Sequence, residues 1–206
     1  SRVTVIAFDK TGTLTRGAPQ VLKVESVGCA TGGDSGCESC WDLLALTAAL
    51  EQRSEHPIAR AVQQHAATVG IAGRYGVATD VVALPGIGVQ GEVAGQRLVV
   101  ANHRWFDANV THPDGICASA QEAASSGATP LFVSADDTYA GWMLISDENR
   151  VESAEVIRDL RTLGIAEIAM ITGDNQGAAN HIARELGICA SLPKCYRATR
   201  SRRLRS

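Results

Sequence analysis

The chain has 206 residues, 45% of them hydrophobic and 20% charged, with a net charge of −3. That length holds one large domain or two small ones, and the composition excludes a disordered chain and a general nucleic-acid or membrane-surface partner. No run approaches the roughly 20 consecutive apolar residues of a transmembrane helix, and the first ten residues lack the regions of a secretory signal, so the chain as it stands is expected to be soluble.

Residues 3–8 are an apolar, β-branched run ending at Asp9, which reads as a buried parallel strand with a loop at its C-terminal end. Residues 40–50 and 57–69 carry helical periodicity and suggest a helical hairpin. Alternating segments near 77–84, 88–93, 98–100, 131–135 and 139–144 read as strands. Residues 152–163 are again helical, and 166–171 form a strand that runs into Thr172-Gly173-Asp174. The two outer strand ends are expected to meet, because ligands of open α/β sheets bind at that edge. The expected architecture is an α/β, Rossmann-like domain built from residues 1–22 and 141–190, with an α+β domain inserted over 23–140.

Asp9-Lys10-Thr11-Gly12-Thr13-Leu14-Thr15 is the most informative stretch. An aspartate at a strand end can face a phosphate, the following loop can offer N–H groups, and carboxylate nucleophiles form aspartyl-phosphates. Gly12 permits a tight loop. This heptapeptide resembles the phosphorylation signature of P-type ATPases, within the haloacid-dehalogenase superfamily. The resemblance implies Asp9 as nucleophile, Lys10 and Thr11 as catalytic neighbours, and Mg²⁺ held by Asp9 and the backbone carbonyl of Thr11. Related phosphatases have a general-acid aspartate two residues after the nucleophile. Thr11 stands there instead, so an acyl phosphate at Asp9 is expected to persist. Thr172, Gly173 and Asp174 resemble the family's second phosphate-contacting loop, and Asp147 with Arg150 its Asp-x-x-Arg near the nucleotide.

Ser54-Glu55-His56-Pro57 resembles the Ser-Glu-His-Pro signature of heavy-metal P-type ATPases, with Glu51 just upstream. Gly86 and Gly88 match the family's Gly-x-Gly loop and Asn102 its Gly-Asn site. The resemblance implies an ATP pocket of Glu51, His56, Gly86, Gly88 and Asn102: a histidine can stack on or hydrogen-bond adenine, and glycines admit close backbone approach. Ala101 replaces the family's glycine, placing a methyl group at the expected ribose end. His65, His103, His112 and His181 fit no motif and read as surface or packing residues. Trp41, Trp105 and Trp142 read as packing anchors.

Six cysteines are spread unevenly, unlike a small disulfide framework, which points to a reducing compartment. Cys37 and Cys40, with Cys29 upstream, have a spacing that suits a soft metal such as Cu(I) or Zn(II). The family resemblance stops near residue 190. The Arg-rich segment 191–206 replaces the family's Pro-x-Asp-Lys and second Mg²⁺-holding segments, and a one-base shift of permissible codons restores the former, so it reads as a frameshifted tail.

Taken together, the resemblance implies the cytoplasmic ATP-binding and phosphorylation part of a membrane-embedded heavy-metal exporter, with Cu(I) as the cation. Its partners would be ATP and its own membrane and actuator domains. The segment itself is expected to bind nucleotide with little turnover. The competing reading is a stand-alone haloacid-dehalogenase-type phosphatase.

Overall fold

The structure is a computed structural model and describes residues 3–29, 37–171 and 176–189. These residues form two compact units. One comprises the chain up to Ala18 and from Asp147 onward, with Ala124–Gly127. The other comprises Pro19–Ala123 and Ala128–Ser146.

In the first unit, β1 (Val5–Asp9) pairs in parallel with β8 (Glu167–Ile171), and Asp9 lies opposite Ile171. The strand ends are therefore neighbours. Helices α5 (Val151–Thr162) and α6 (Gln176–Glu185) supply the rest of a small core of Leu14, Ile157, Ile168, Met170, Ile182 and Leu186. β8 is buried on three successive residues, whereas β1 alternates exposed with half-buried positions. The expectation of a buried first strand is corrected on this point. Among the described residues β8 is the only strand paired with β1, and Val5 is 43% exposed.

The second unit is a six-stranded antiparallel sheet in the order β2-β7-β6-β5-β4-β3. Its strands are β2 (Gln20–Ser26), β3 (Thr79–Leu84), β4 (Gly88–Val93), β5 (Gln96–Ala101), β6 (Thr129–Ala135) and β7 (Thr138–Ser146). Helices α1 (Glu38–Leu50) and α2 (Pro57–Thr68) cover one face; α3 (His103–Asn109) and α4 (Asp114–Ser125) contribute to the other. Successive side chains on a strand point to opposite faces. Leu98 and Val100 accordingly pack with α1 and α2, while Val99 and Ala101 pack with Phe106 and Phe132. The apolar runs of β5 and β6 are therefore those of a sheet buried on both sides.

Sequence periodicity located α1, α2, α5 and most strands to within a few residues, and missed β2, α3, α4 and α6. The division between units also falls elsewhere than 22/23 and 140/141. β2 pairs along its length with β7, from Gln20 opposite Ser146 to Ser26 opposite Gly141, so both whole strands lie in the second unit.

Gly141 sits where β7 crosses β2 closely. A Cβ there would lie 2.3 Å from the Glu25 carbonyl oxygen and 2.6 Å from Leu43 Cδ2. Backbone cannot yield as a flexible side chain can, so Gly141→Ala is expected to cost about 3 kcal/mol of stability. A urea titration monitored by tryptophan fluorescence measures it; a loss below about 1 kcal/mol would show that the strands separate easily.

Candidate functional site

Asp9 ends β1 with its residue exposed, in extended conformation (φ −67°, ψ 145°), and its side chain caps no backbone group of the next turn. The chain then makes one wide turn, Lys10–Leu14, closed by the Thr15 N–H donating to the Lys10 carbonyl at 3.1 Å. Gly12, at φ +77°, takes the left-handed conformation that this turn requires. Lys10 is buried beneath it. Asp9 thus stands exposed at the C-terminal strand edge, followed by a turn whose shape comes from its backbone.

That turn is held from the other end of the unit. The buried Thr15 hydroxyl donates to Asp147 Oδ2 at 2.5 Å, and the N–H groups of Gly17 and Ala18 donate to the same carboxylate, each at 3.2 Å. Arg150 donates from Nε to the Thr15 carbonyl at 3.1 Å and from Nη2 to the Gly12 carbonyl at 3.3 Å. Ser153 Oγ donates to the Leu14 carbonyl at 2.9 Å. Asp147 and Arg150, expected at the nucleotide, are placed here against the loop after Asp9. Thr172, Gly173 and Asp174 lie outside the described residues, as does segment 191–206.

In the second unit the expected nucleotide residues fall into two groups. Asn102 caps α3, its Oδ1 accepting from the Trp105 N–H at 3.0 Å, while its Nδ2 donates to the Gly86 carbonyl at 3.0 Å. Gly86 has φ +70° in the β3–β4 turn. Gly88 lies opposite Ala101 on β5, and a Cβ on Gly88 would sit 1.9 Å from the Val100 carbonyl oxygen. Gly86, Gly88 and Asn102 are therefore one locked assembly. Ala101, whose methyl is expected at the ribose end, is fully buried in the core with Phe106 and Phe132.

The other group is the α1–α2 connection. Glu51 ends α1 and is 8% exposed, and His56 caps α2 with Nδ1 accepting from the Ile58 N–H at 3.3 Å. Between them Arg53, unmarked by any motif, lines a cleft of about 510 Å³ with Val77, Ala78, Thr79, Asp80 and Val81. Asp80 has φ +50°, beside a register shift between Thr79 and Val82. Backbone strain of that kind concentrates at functional sites.

Cys29, Cys37 and Cys40 come together, with ligating atoms all within 4.8 Å of one another. Burial pushes the Cys40 thiol up to about 11. Three convergent sulfurs fit a soft cation better than the pair alone.

The model of the haloacid dehalogenase-like hydrolase family matches residues 3–202. Copper-transporting ATPase 2 of Rhizobium meliloti (strain 1021) is 37% identical over 184 residues, which are 89% of this chain and 21% of that protein. The silver exporting P-type ATPase of Salmonella typhimurium is 37% identical over 187 residues, 91% of this chain and 21% of that one. A crystal structure of a zinc-transporting PIB-type ATPase in the E2.Pi state superposes with a TM-score of 0.61 at 34% identity, covering 94% of this chain and 30% of that one. The chain belongs to the haloacid dehalogenase-like hydrolases. Its relatives within that family are heavy-metal P-type ATPases, whose catalytic region it resembles. It spans about a fifth of the length of the curated relatives it matches. No helix among the described residues is long and apolar enough to cross a membrane.

Two outcomes follow from this geometry. Asp147→Ala removes the shorter-bonded of the two acceptors of the buried Thr15 hydroxyl, leaving the Lys10 carbonyl at 3.2 Å, and the acceptor of two exposed N–H groups that water can serve instead, so a stability loss of roughly 1 kcal/mol is expected. Amide exchange at Gly17 should accelerate with it; unchanged exchange would show that Arg150 and Ser153 hold the turn alone.

Glu51 has its pKa raised by burial, against the opposing effects of a hydrogen bond with Ser54 and of the charge on His56. The folded chain therefore keeps this proton to higher pH than the unfolded chain, and stability falls as pH rises out of the ordinary carboxylate range through the folded value. Glu51→Gln is expected to flatten that fall and to stabilise the chain at neutral pH, as urea titrations across a pH series will read. A parallel shift of both pH curves would remove Glu51 as the cause.

Proposed function

We propose that this chain is the ATP-binding and phosphoryl-accepting part of a heavy-metal-exporting P-type ATPase, with Cu(I) as the transported cation. The observation that carries the reading is the exposed Asp9 carboxylate at the C-terminal edge of β1, backed by a turn that Asp147, Arg150 and Ser153 hold rigid. In this reading Asp9 attacks the γ-phosphorus of ATP, the bond to the bridging oxygen breaks, and ADP leaves with that electron pair.

The donor chemistry at this edge suits Mg²⁺, which takes hard oxygen ligands: the Asp9 carboxylate and the Thr11 backbone carbonyl would hold it. When bound, Mg²⁺ offsets negative charge on the transferring phosphoryl group. The chain's own contribution is positioning. The locked turn keeps Asp9 at the strand end, and Thr11 brings no carboxyl group to activate water, so the phospho-aspartate outlives the transfer. Lys10 and, by resemblance, Thr172, Gly173 and Asp174 complete the phosphate surroundings.

In the second unit, Glu51 and His56 would meet adenine, and Gly86, Gly88 and Asn102 the rest of the nucleotide. A cleft lined by Arg53, which lies between Glu51 and His56 in the α1–α2 connection, offers a concave surface beside that connection. Retention of Glu51 in a buried position that opposes its ionisation supports a ligand-binding role for it. For the cation, the names of the copper and silver relatives support a monovalent soft ion, and Cys29, Cys37 and Cys40 would be a secondary soft-metal site.

Incubation with γ-labelled ATP and Mg²⁺ is expected to leave an acid-stable, hydroxylamine-labile label that Asp9→Asn abolishes. His56→Gln should weaken ATP binding about ten-fold through loss of one ligand contact, without changing the fold. Nucleotide binding without any label would reduce the chain to a binding module. Label that hydrolyses at once would favour a phosphatase.

A further inference from the structure

His103, Asp107, His112 and Cys117 converge from three successive segments of the second unit. His103 and Asp107 stand one helical turn apart on α3, Cys117 lies on α4, and His112 lies in the connection between those helices. Their ligating atoms all lie within 4.8 Å of one another. His103 Nε2 and His112 Nε2 are each 3.3 Å from Asp107 Oδ1, His112 Nε2 is 3.2 Å from Cys117 Sγ, and Cys117 Sγ is 3.6 Å from Asp107 Oδ1. Ligand atoms around a tetrahedral Zn²⁺ lie about 3.3–3.7 Å apart, so this spacing needs little adjustment to close on an ion.

Three further features distinguish the cluster from an accidental crowd. The His112 Nδ1 lies 2.8 Å from the Val110 carbonyl oxygen, which can only accept. Nδ1 therefore carries a proton, which leaves Nε2 as the nitrogen able to ligate an ion in the cluster. This is the backbone partner that orients metal-ligating histidines. The buried His103 Nε2 has no hydrogen-bond partner among the described residues, although Asp107 Oδ1 lies 3.3 Å away. The rings of His103 and His112 also pack on the fully buried Phe132, at 5.1 and 6.4 Å between centroids. That wall keeps water off one side, while the half-exposed Asp107 leaves an entry path from solvent.

We propose that His103, Asp107, His112 and Cys117 form a four-ligand structural site for Zn²⁺ that clasps α3 to α4. Two neutral imidazoles, one carboxylate and one thiolate compensate the divalent charge, and the mixed nitrogen, sulfur and oxygen set suits a borderline cation over Mg²⁺ or Ca²⁺. Binding displaces one proton from the Cys117 thiol to solvent. The site uses none of the residues assigned to ATP or to Asp9, so it stands or falls independently of the proposed function.

Co²⁺ is the probe, because its tetrahedral complexes absorb strongly and a thiolate ligand adds a charge-transfer band. The full chain carrying Cys29→Ser, Cys37→Ser and Cys40→Ser, which removes the other thiol cluster, is expected to bind one equivalent of Co²⁺ with both signatures and to release it to Zn²⁺. Adding Cys117→Ser should abolish the charge-transfer band, and adding His112→Ala should weaken Zn²⁺ binding by about 100-fold or more. Should the triple variant fold poorly, the native chain serves: its Zn²⁺ stoichiometry should fall by one equivalent on His112→Ala. Absence of the thiolate band in the folded triple variant, its survival in Cys117→Ser, or an unchanged stoichiometry in His112→Ala of the native chain would each overturn the assignment.

Discussion

The Asp147 carboxylate is the contact on which the arrangement around Asp9 depends. It reaches Thr15 across a sequence separation of 132, and with Arg150 it converts a stretch of exposed backbone into a defined turn. Closing a flexible loop of that length costs roughly 4 kcal/mol. Net gains of about 1 kcal/mol per hydrogen bond would scarcely offset that cost. The second unit removes most of it, because its entering strand β2 and leaving strand β7 are ladder partners, with Gln20 opposite Ser146. Paired strands lie about 5 Å apart, so a folded insertion returns the chain close to where it left.

That arrangement separates two demands. The sheet of the second unit is buried on both faces by helices and tolerates no added atoms at Gly88 or Gly141. It is a rigid platform, and the residues expected at nucleotide, Glu51, His56, Gly86 and Asn102, sit in its connections. The first unit rests on fewer apolar side chains and holds its important turn by polar contacts. Its precision comes from hydrogen-bond direction, and the carboxylate of Asp9 remains available because no neighbour in the turn consumes it as a cap.

Glu51 shows a cost of this design. A buried carboxyl that resists ionisation lowers stability at neutral pH, and a glutamine would avoid that loss. Asp80, held at positive φ beside the Arg53 cleft, is a second local cost in the same unit. Both lie where a concave surface adjoins the α1–α2 connection, and neither is needed to complete the core.

Much of the molecule was legible in the amino-acid order. The run ending at Asp9, the Gly12 turn, the helical hairpin and the alternating strands are local patterns, and local periodicity survives folding because side-chain direction follows backbone geometry. β2 was missed because Gln20, Lys23 and Glu25 interrupt its apolar positions, and α3 because seven residues give barely two turns of periodicity. Resemblance named Asp147 and Arg150 as functional, but only the folded chain put them against Thr15 and Gly12. The same holds for His103, Asp107, His112 and Cys117, which fit no motif: the sequence by itself determined their donor chemistry, and the tertiary structure decided that they converge. The reason is physical. Chemistry belongs to the residue, whereas a site needs distances of a few ångströms, and those are set by how helices and strands distant in sequence pack together.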